Sequence, residues 1–411
     1  MFRSLAVVCF AVLLWMPARA ADTDGAMPPF VTSTALTDWL ARHPSPLDQA
    51  PPHARELFIE ALDFGPRGVR SFPYAELAPE LTTAELAEVQ RLLLAEALPL
   101  PGLEIEEAAR LRAARAAGAL AGPSARVLAA YRDWRRTAEP TEMSGLAIDR
   151  LTTEQARAGS DAGEDLRLLH RAALERAEEF RDDARLDTAR ALHARLHAEG
   201  LVTRQDHRSL QRLLLVSGRI DEARTFTAGV PEARLPAVPR FDVSRSPEQG
   251  TVRIWRIDGD DGDVPTLRKH PLDLGLRIVV VTSPGCGFSR AAAAAIPSDP
   301  ILGPIFARHA VWLIAPDAIA DVAALRAWNL RNPDAEIGIA VDAAQWPVAL
   351  DTTPQFLVFR DGQLVAHVSG WRRDGSDRDA LNAALAQAGL LHSTSGSAAP
   401  ANIGDTTSGH R

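Results

Sequence analysis

Pro231, Pro236, Pro239 and Pro247 interrupt the chain at the point where its apolar residues change from a helical period to a strand period, and one regular architecture cannot serve both sides. Two units are expected. From about Thr32 to Val230 the chain is rich in Ala, Leu, Arg and Glu, and sets such as Leu86, Val89, Leu92 and Leu93, or Leu166, Leu168 and Leu169, gather on helix faces. Thr82 with Glu85 reads as a capping box, and Gly102, Gly122 and Gly200 read as helix punctuation. Beyond the prolines, Val252 to Ile257 alternates like a strand, and Ile278 to Val281 is a continuous β-branched run suited to a sheet centre. A helix is expected after Cys286, then a strand Val311 to Ile314, a helix from about Asp317 to Asn329 and a strand Ile337 to Val341. Strands Phe356 to Phe359 and Leu364 to Val368 flank the hairpin signal Asp361-Gly362, and a last helix runs from about Asp377 to Ala388. This order implies an α + α/β protein: a helical domain over 28–230, a linker over 231–250 and a mixed sheet covered on both faces over 251–391. The Ser, Thr, Gly and Ala tail over 392–411 reads as disordered.

Met-Phe-Arg, an apolar run from Leu5 to Met16, Pro17 and the small-residue pattern Ala18-Arg19-Ala20 have the layout of a cleavable export signal over 1–20. The expected setting is the periplasm or the outside, with no stable membrane anchor after cleavage at Ala20. Of the two cysteines, Cys9 lies inside the signal, so the mature chain keeps Cys286 and forms no internal disulfide. A net charge of -8 argues against nucleic acid as a partner, because phosphate neutralisation needs a basic surface.

The strand Ile278 to Val281 leads through Thr282-Ser283-Pro284-Gly285 into Cys286-Gly287-Phe288-Ser289 and a run of alanines. That order sets a sulfur at a helix start, where unpaired backbone N–H groups and the helix dipole favour thiolate over thiol. Here the chain resembles the thioredoxin superfamily, through Cys286-x-x-Ser289 after a strand, Thr353-Pro354 before a strand, and the Asp361-Gly362 hairpin ending at Gly370. The resemblance implies a thioredoxin-like domain in which Pro354 follows a cis bond and faces Cys286. It implies further that Thr353, Pro354, Gly285, Gly287 and Phe288 receive an extended substrate segment, by pairing along the backbone of Thr353. Cys286-Gly287-Phe288-Ser289 and Thr353-Pro354-Gln355-Phe356 also resemble monothiol glutaredoxins, which would imply glutathione and an iron-sulfur cluster. The long separation of Cys286 from Pro354 leaves room for an inserted strand and helix, and a cluster needs further thiolates, so no cofactor is expected.

Ser289 stands where a dithiol enzyme has its resolving cysteine, which excludes a dithiol cycle within the chain. Two functions stay open. One is monothiol exchange at Cys286 on exported proteins with thiols or disulfides, with Ser289 bonding to the thiolate and an external thiol reductant closing the cycle. The other is a redox-silent interaction module that keeps the fold and binds partners through its helical half.

In that half, Leu186 to Phe226 reads as paired helices. Its segment from Leu213 through Ser217-Gly218 to Asp221-Glu222-Ala223 resembles part of a tetratricopeptide-type hairpin, so both an irregular bundle and a repeat array stay open. The acidic run Asp258 to Asp263 resembles a calcium loop but has Lys269 where the bidentate Glu belongs, and it reads as a turn between strands. His270, His309 and His367 lack ligand or triad spacing, and Trp312, Trp328, Trp346 and Trp371 read as core or rim aromatics. No metal site is expected.

Overall fold

The computed structural model describes residues 30–66, 68–94, 100–137, 145–158, 163–242, 252–258, 264–372 and 376–391. The segment 1–20 expected as an export signal, with Cys9, and Pro247, the acidic residues 259–263 and the tail over 392–411 lie outside these residues. The chain divides into two compact units between Val238 and Pro239.

The first unit is helical. It runs α1 (Ser33–Leu40), α2 (Pro52–Ala61), a short hairpin of β1 (Asp63–Gly65) and β2 (Gly68–Ser71), α3 (Tyr74–Leu77), α4 (Thr83–Leu94), α5 (Ile105–Ala116) and α6 (Ala125–Arg136). There follow α7 (Leu146–Ala158), α8 (Glu164–Phe180), α9 (Asp183–Ala198), α10 (Arg204–Val216) and α11 (Ile220–Gly229). The capping box forms as expected: Thr82 N donates to Glu85 Oε2 at 2.8 Å and Glu85 N to Thr82 Oγ1 at 3.3 Å. Leu86, Val89 and Leu93 of α4 are buried.

The stretch expected as paired helices holds three, α9, α10 and α11. Glycines at φ +68 (Gly200) and +72 (Gly218) make the breaks. At each, a six-to-one bond closes the helix end, from Leu201 N to Leu196 O at 2.9 Å and from Arg219 N to Leu214 O at 2.8 Å. The other two punctuation marks act differently. Gly118, at φ +72, rather than Gly122 follows the end of α5, and Gly102 lies where a Cβ would meet Leu81 O at 2.4 Å, so it permits a close backbone approach.

α8 is buried on most of its surface, charged residues included: Glu164, Asp165, Arg167, His170 and Arg176 are buried with its leucines. Glu164, Arg167 and Arg176 sit in ion pairs. Arg167 meets Glu164 at 2.9 Å and Glu80 at 3.1 Å, Arg115 meets both carboxylates at 2.6 Å, and Arg171 lies 3.6 Å from Glu76 and 3.7 Å from Glu80.

The second unit is α/β, and it begins inside the expected linker. β3 (Arg240–Asp242) pairs in parallel with β5 (Thr266–Leu272), and β5 in turn lies antiparallel to β4 (Val252–Asp258). β6 (Leu276–Val281) leads to α12 (Gly287–Ala295), α13 (Leu302–His309) and β7 (Ala310–Ile314). A 3₁₀ turn over Pro316–Asp321 occupies the first part of the expected helix, and α14 (Val322–Arg331) continues it to β8 (Ile337–Ala340). β9 (Gln355–Arg360), β10 (Gln363–Ser369) and α15 (Ser376–Gln387) complete the unit. The sheet order is β10-β9-β6-β7-β8-β4-β5-β3, with β6, β7 and β8 parallel and β9 and β10 antiparallel. The Asp361-Gly362 turn has φ +51 and +79, the left-handed pair a two-residue hairpin needs.

Alternate residues of β6 and β9 serve two cores. Ile278, Val280, Phe356 and Val358 face one, Val279, Val281, Leu357 and Phe359 the other, which accounts for the unbroken apolar run. The first core takes residues from α12, α13, α14 and α15. The second is covered by Trp346 and Leu350 from the segment between β8 and β9, and among the described residues no helix contributes to it. The steps from β6 to β7 to β8 move one way across the sheet, so right-handed crossovers bring their helices to the same face. Burial on both faces is as expected, but a loop closes the second face.

Candidate functional site

The chemistry-bearing end of the sheet is the carboxyl end of β6. Val281 pairs with Leu313 of β7 and with Gln355 at the start of β9, so whatever follows β6 comes to lie beside what precedes β9. Thr282 extends the strand, its amide donating to Leu313 O at 2.7 Å. A turn over Ser283-Pro284-Gly285 then brings in Cys286 as the N-cap of α12, at φ -81 and ψ 123. Cys286 N donates to Ser283 O at 3.0 Å, and Arg290 N donates to Cys286 O at 3.1 Å, closing the first helical turn. The Arg290 guanidinium donates to Pro284 O at 3.0 Å and Gly285 O at 3.2 Å, which fixes the turn from outside.

The Cys286 sulfur is half-buried. As a thiol it donates to Thr353 O at 3.3 Å, the carbonyl of the Thr353-Pro354 peptide, which is cis. Burial pushes the thiol pKa up. Hydrogen bonds from the Thr353 side chain, from the Ser289 amide and hydroxyl and from the Phe288 amide outweigh it, and the sulfur is held below the ordinary cysteine value. Ser289 is fully buried, and its Oγ also accepts from Ser283 N at 3.3 Å.

The structure therefore brings Cys286, Ser289, Thr353 and Pro354 together, with Gly285, Gly287 and Phe288 on the same turn. A Cβ added at Gly285 or Gly287 would meet no atom closer than 3.7 Å, so no close contact requires glycine at either position. Phe288 stands 42% exposed beside it, an apolar contact available to an incoming chain. The other expectations resolve by position. His309 closes α13 just before β7, at the far end of the parallel strands, and His270 lies on β5, beyond β7, β8 and β4 from β6. His367 is the near one: its Nε2 meets Gln355 Oε1 at 2.8 Å, while Gln355 Nε2 donates to Thr352 O at 2.8 Å and Ala349 O at 2.9 Å. Through Gln355 it braces the loop that carries Thr353, a role that spacing in the sequence does not reveal. Trp312, Trp328, Trp346 and Trp371 are buried core residues.

No family model, curated protein or solved structure matches the chain. Among the described residues, no helix is long and apolar enough to cross a membrane.

Proposed function

We propose that the second unit is a thioredoxin-like domain that carries out monothiol thiol-disulfide exchange on exported proteins through Cys286. The observation that carries the reading is the juxtaposition at one strand end: a half-buried sulfur at a helix N-cap, held below the ordinary cysteine pKa, 3.3 Å from the Thr353 carbonyl. The neighbourhood β10-β9-β6-β7, with α12 after β6 and α15 after β10, supports it as the strand order such a domain uses.

In the proposed reaction the Cys286 thiolate attacks one sulfur of a partner disulfide. A new S–S bond forms to Cys286, the partner bond breaks, and the displaced sulfur leaves as thiolate and takes a proton from water. Ser289 supplies no second thiol, so the mixed disulfide is resolved from outside. A second thiol, from the partner or from a small-molecule reductant, attacks the partner sulfur, forms the new S–S bond and returns Cys286 as thiolate, with the Phe288 and Ser289 amides ready to receive the charge. The exposed Phe288 and the Thr353 backbone receive the partner segment, and the helical unit recruits the partner.

The test is the pH dependence of Cys286 alkylation by iodoacetamide in the full chain. The rate should reach half its plateau below the ordinary cysteine pKa of about 8.5. Cys286→Ser should abolish both alkylation and disulfide exchange with an unchanged circular dichroism spectrum, because an N-cap accepts Ser. A thiol inert up to alkaline pH would overturn the exchange reading and leave the domain as a docking module.

A further inference from the structure

The helical unit holds a second group of chemistry-bearing side chains that thiol exchange does not use. α9 carries His193 and His197 one turn apart, the first turn of α10 carries His207, and Glu232 lies on the 3₁₀ turn Pro231–Ala233 that follows α11. One nitrogen each of His197 and His207 and one carboxylate oxygen of Glu232 lie within 4.8 Å of one another. A tetrahedral ion with bonds of about 2.0–2.2 Å sets its ligand atoms about 3.4 Å apart, so the widest pair need close by little more than about 1 Å. His197 and Glu232 are exposed and can make that movement by side-chain rotation, whereas His207 is buried and fixed.

The fixed ligand has its orientation set from behind. His207 Nδ1 meets His193 Nε2 at 3.1 Å. With His193 Nε2 as the acceptor, His207 Nδ1 carries the proton of this contact. That tautomer leaves the His207 Nε2 lone pair for a cation, the outer-shell arrangement that metal-bound imidazoles use. Behind His193 stand His170, whose Nδ1 faces Asp206 Oδ1 at 3.5 Å, and Phe226, whose ring lies edge-on at 5.3 Å.

We propose that His197, His207 and Glu232 bind one divalent transition-metal ion of the zinc class, with His193 as the positioning residue. Two imidazoles and one carboxylate suit a borderline cation and leave a fourth position for water, whereas Mg²⁺ and Ca²⁺ want oxygen ligands throughout. The three ligands come from α9, α10 and the turn after α11, so a bound ion ties the end of the helical unit together. The proposal is independent of the reading of Cys286.

Titration calorimetry of the tag-free full chain with ZnCl₂ tests it, with MgCl₂ and CaCl₂ as controls. One equivalent of Zn²⁺ should bind, Mg²⁺ and Ca²⁺ should not, and Co²⁺ should give the visible absorption of a tetrahedral site. His197→Ala and Glu232→Ala, both at exposed positions, should weaken Zn²⁺ binding by at least about tenfold and abolish the Co²⁺ band. His193→Phe should weaken binding by about 10–100-fold, and His193→Gln, which keeps an acceptor, should recover part of it. Absence of Zn²⁺ binding to the wild-type chain, or wild-type affinity in both ligand variants, would overturn the proposal.

Discussion

The Ser289 hydroxyl bonds both the Ser283 amide and the Cys286 sulfur, so exchanging that oxygen for sulfur sets a second thiol within reach of the first. Ser289→Cys should therefore close a reversible internal disulfide on mild oxidation, read by mass spectrometry as the loss of both thiol hydrogens. Two persistent free thiols would contradict the geometry. Ser289→Ala should act in the opposite sense. With one hydrogen bond to the thiolate gone, the Cys286 pKa rises, and alkylation should slow several-fold at neutral pH while converging with wild type at alkaline pH. An unchanged profile would mean that the amides alone set the pKa. The placement of Cys286 was legible in the sequence because the segment around it is contiguous, a strand, a turn and a helix start. Its supports were not: Gln355 and His367 meet across a strand pair, and no local spacing marks them. The histidine cluster was illegible for the same reason, since only the one-turn spacing of His193 and His197 hints at a shared face, and no metal was expected from the sequence.

Element boundaries were readable where chain chemistry and backbone requirement coincide, as at the Thr82 capping box and the Asp361-Gly362 turn. They were misread where composition stood in for geometry. A methyl group added at Gly122 or at Gly218 would meet nothing within 4 Å, but only Gly218 has a left-handed φ, at +72. Gly218→Ala should cost about 1 kcal/mol in chemical denaturation, whereas Gly122→Ala should be neutral or stabilising by up to about 1 kcal/mol. Equal effects at the two positions would refute the conformational account. β5 escaped notice because its residues Thr266 to Leu272 include Arg268, Lys269, His270 and Pro271, and only Leu267 and Leu272 are buried. α13 is short and carries Pro304 in its first turn, where a missing N–H costs nothing but breaks the sequence pattern. β3 fell inside a proline-rich stretch that composition marks as linker.

Across the whole chain, the two units use burial differently. The sheet unit buries apolar residues on both faces, which the β-branched runs announce. The helical unit buries ion pairs whose partners lie far apart in sequence, Glu80 with Arg167 for one, and Arg and Glu in helical periods read as solvated faces until the fold brings them together. Glu80 is 1% exposed and touches Arg115 at 2.6 Å, Arg167 at 3.1 Å and Arg171 at 3.7 Å. Burial alone would raise its pKa, but Arg167, Arg115 and Arg171 outweigh that and hold the carboxyl below its ordinary value of 4.5. A carboxyl with a depressed folded pKa stabilises the fold fully above its unfolded value, and the contribution is lost as pH falls through the lower folded one. Glu80→Gln should accordingly cost up to about 3–5 kcal/mol at neutral pH, because it leaves the half-buried Arg115 and the buried Arg167 to share Glu164 alone. The melting temperature of the helical transition should fall by on the order of 10 °C. As pH drops below 4.5, wild type should lose stability and approach the variant, since a protonated Glu80 resembles Gln. Thermal melts by far-ultraviolet circular dichroism over a pH series check both parts, and a difference between wild type and variant that stayed constant down to strongly acid pH would show that the charge of Glu80 is not what its arginines require.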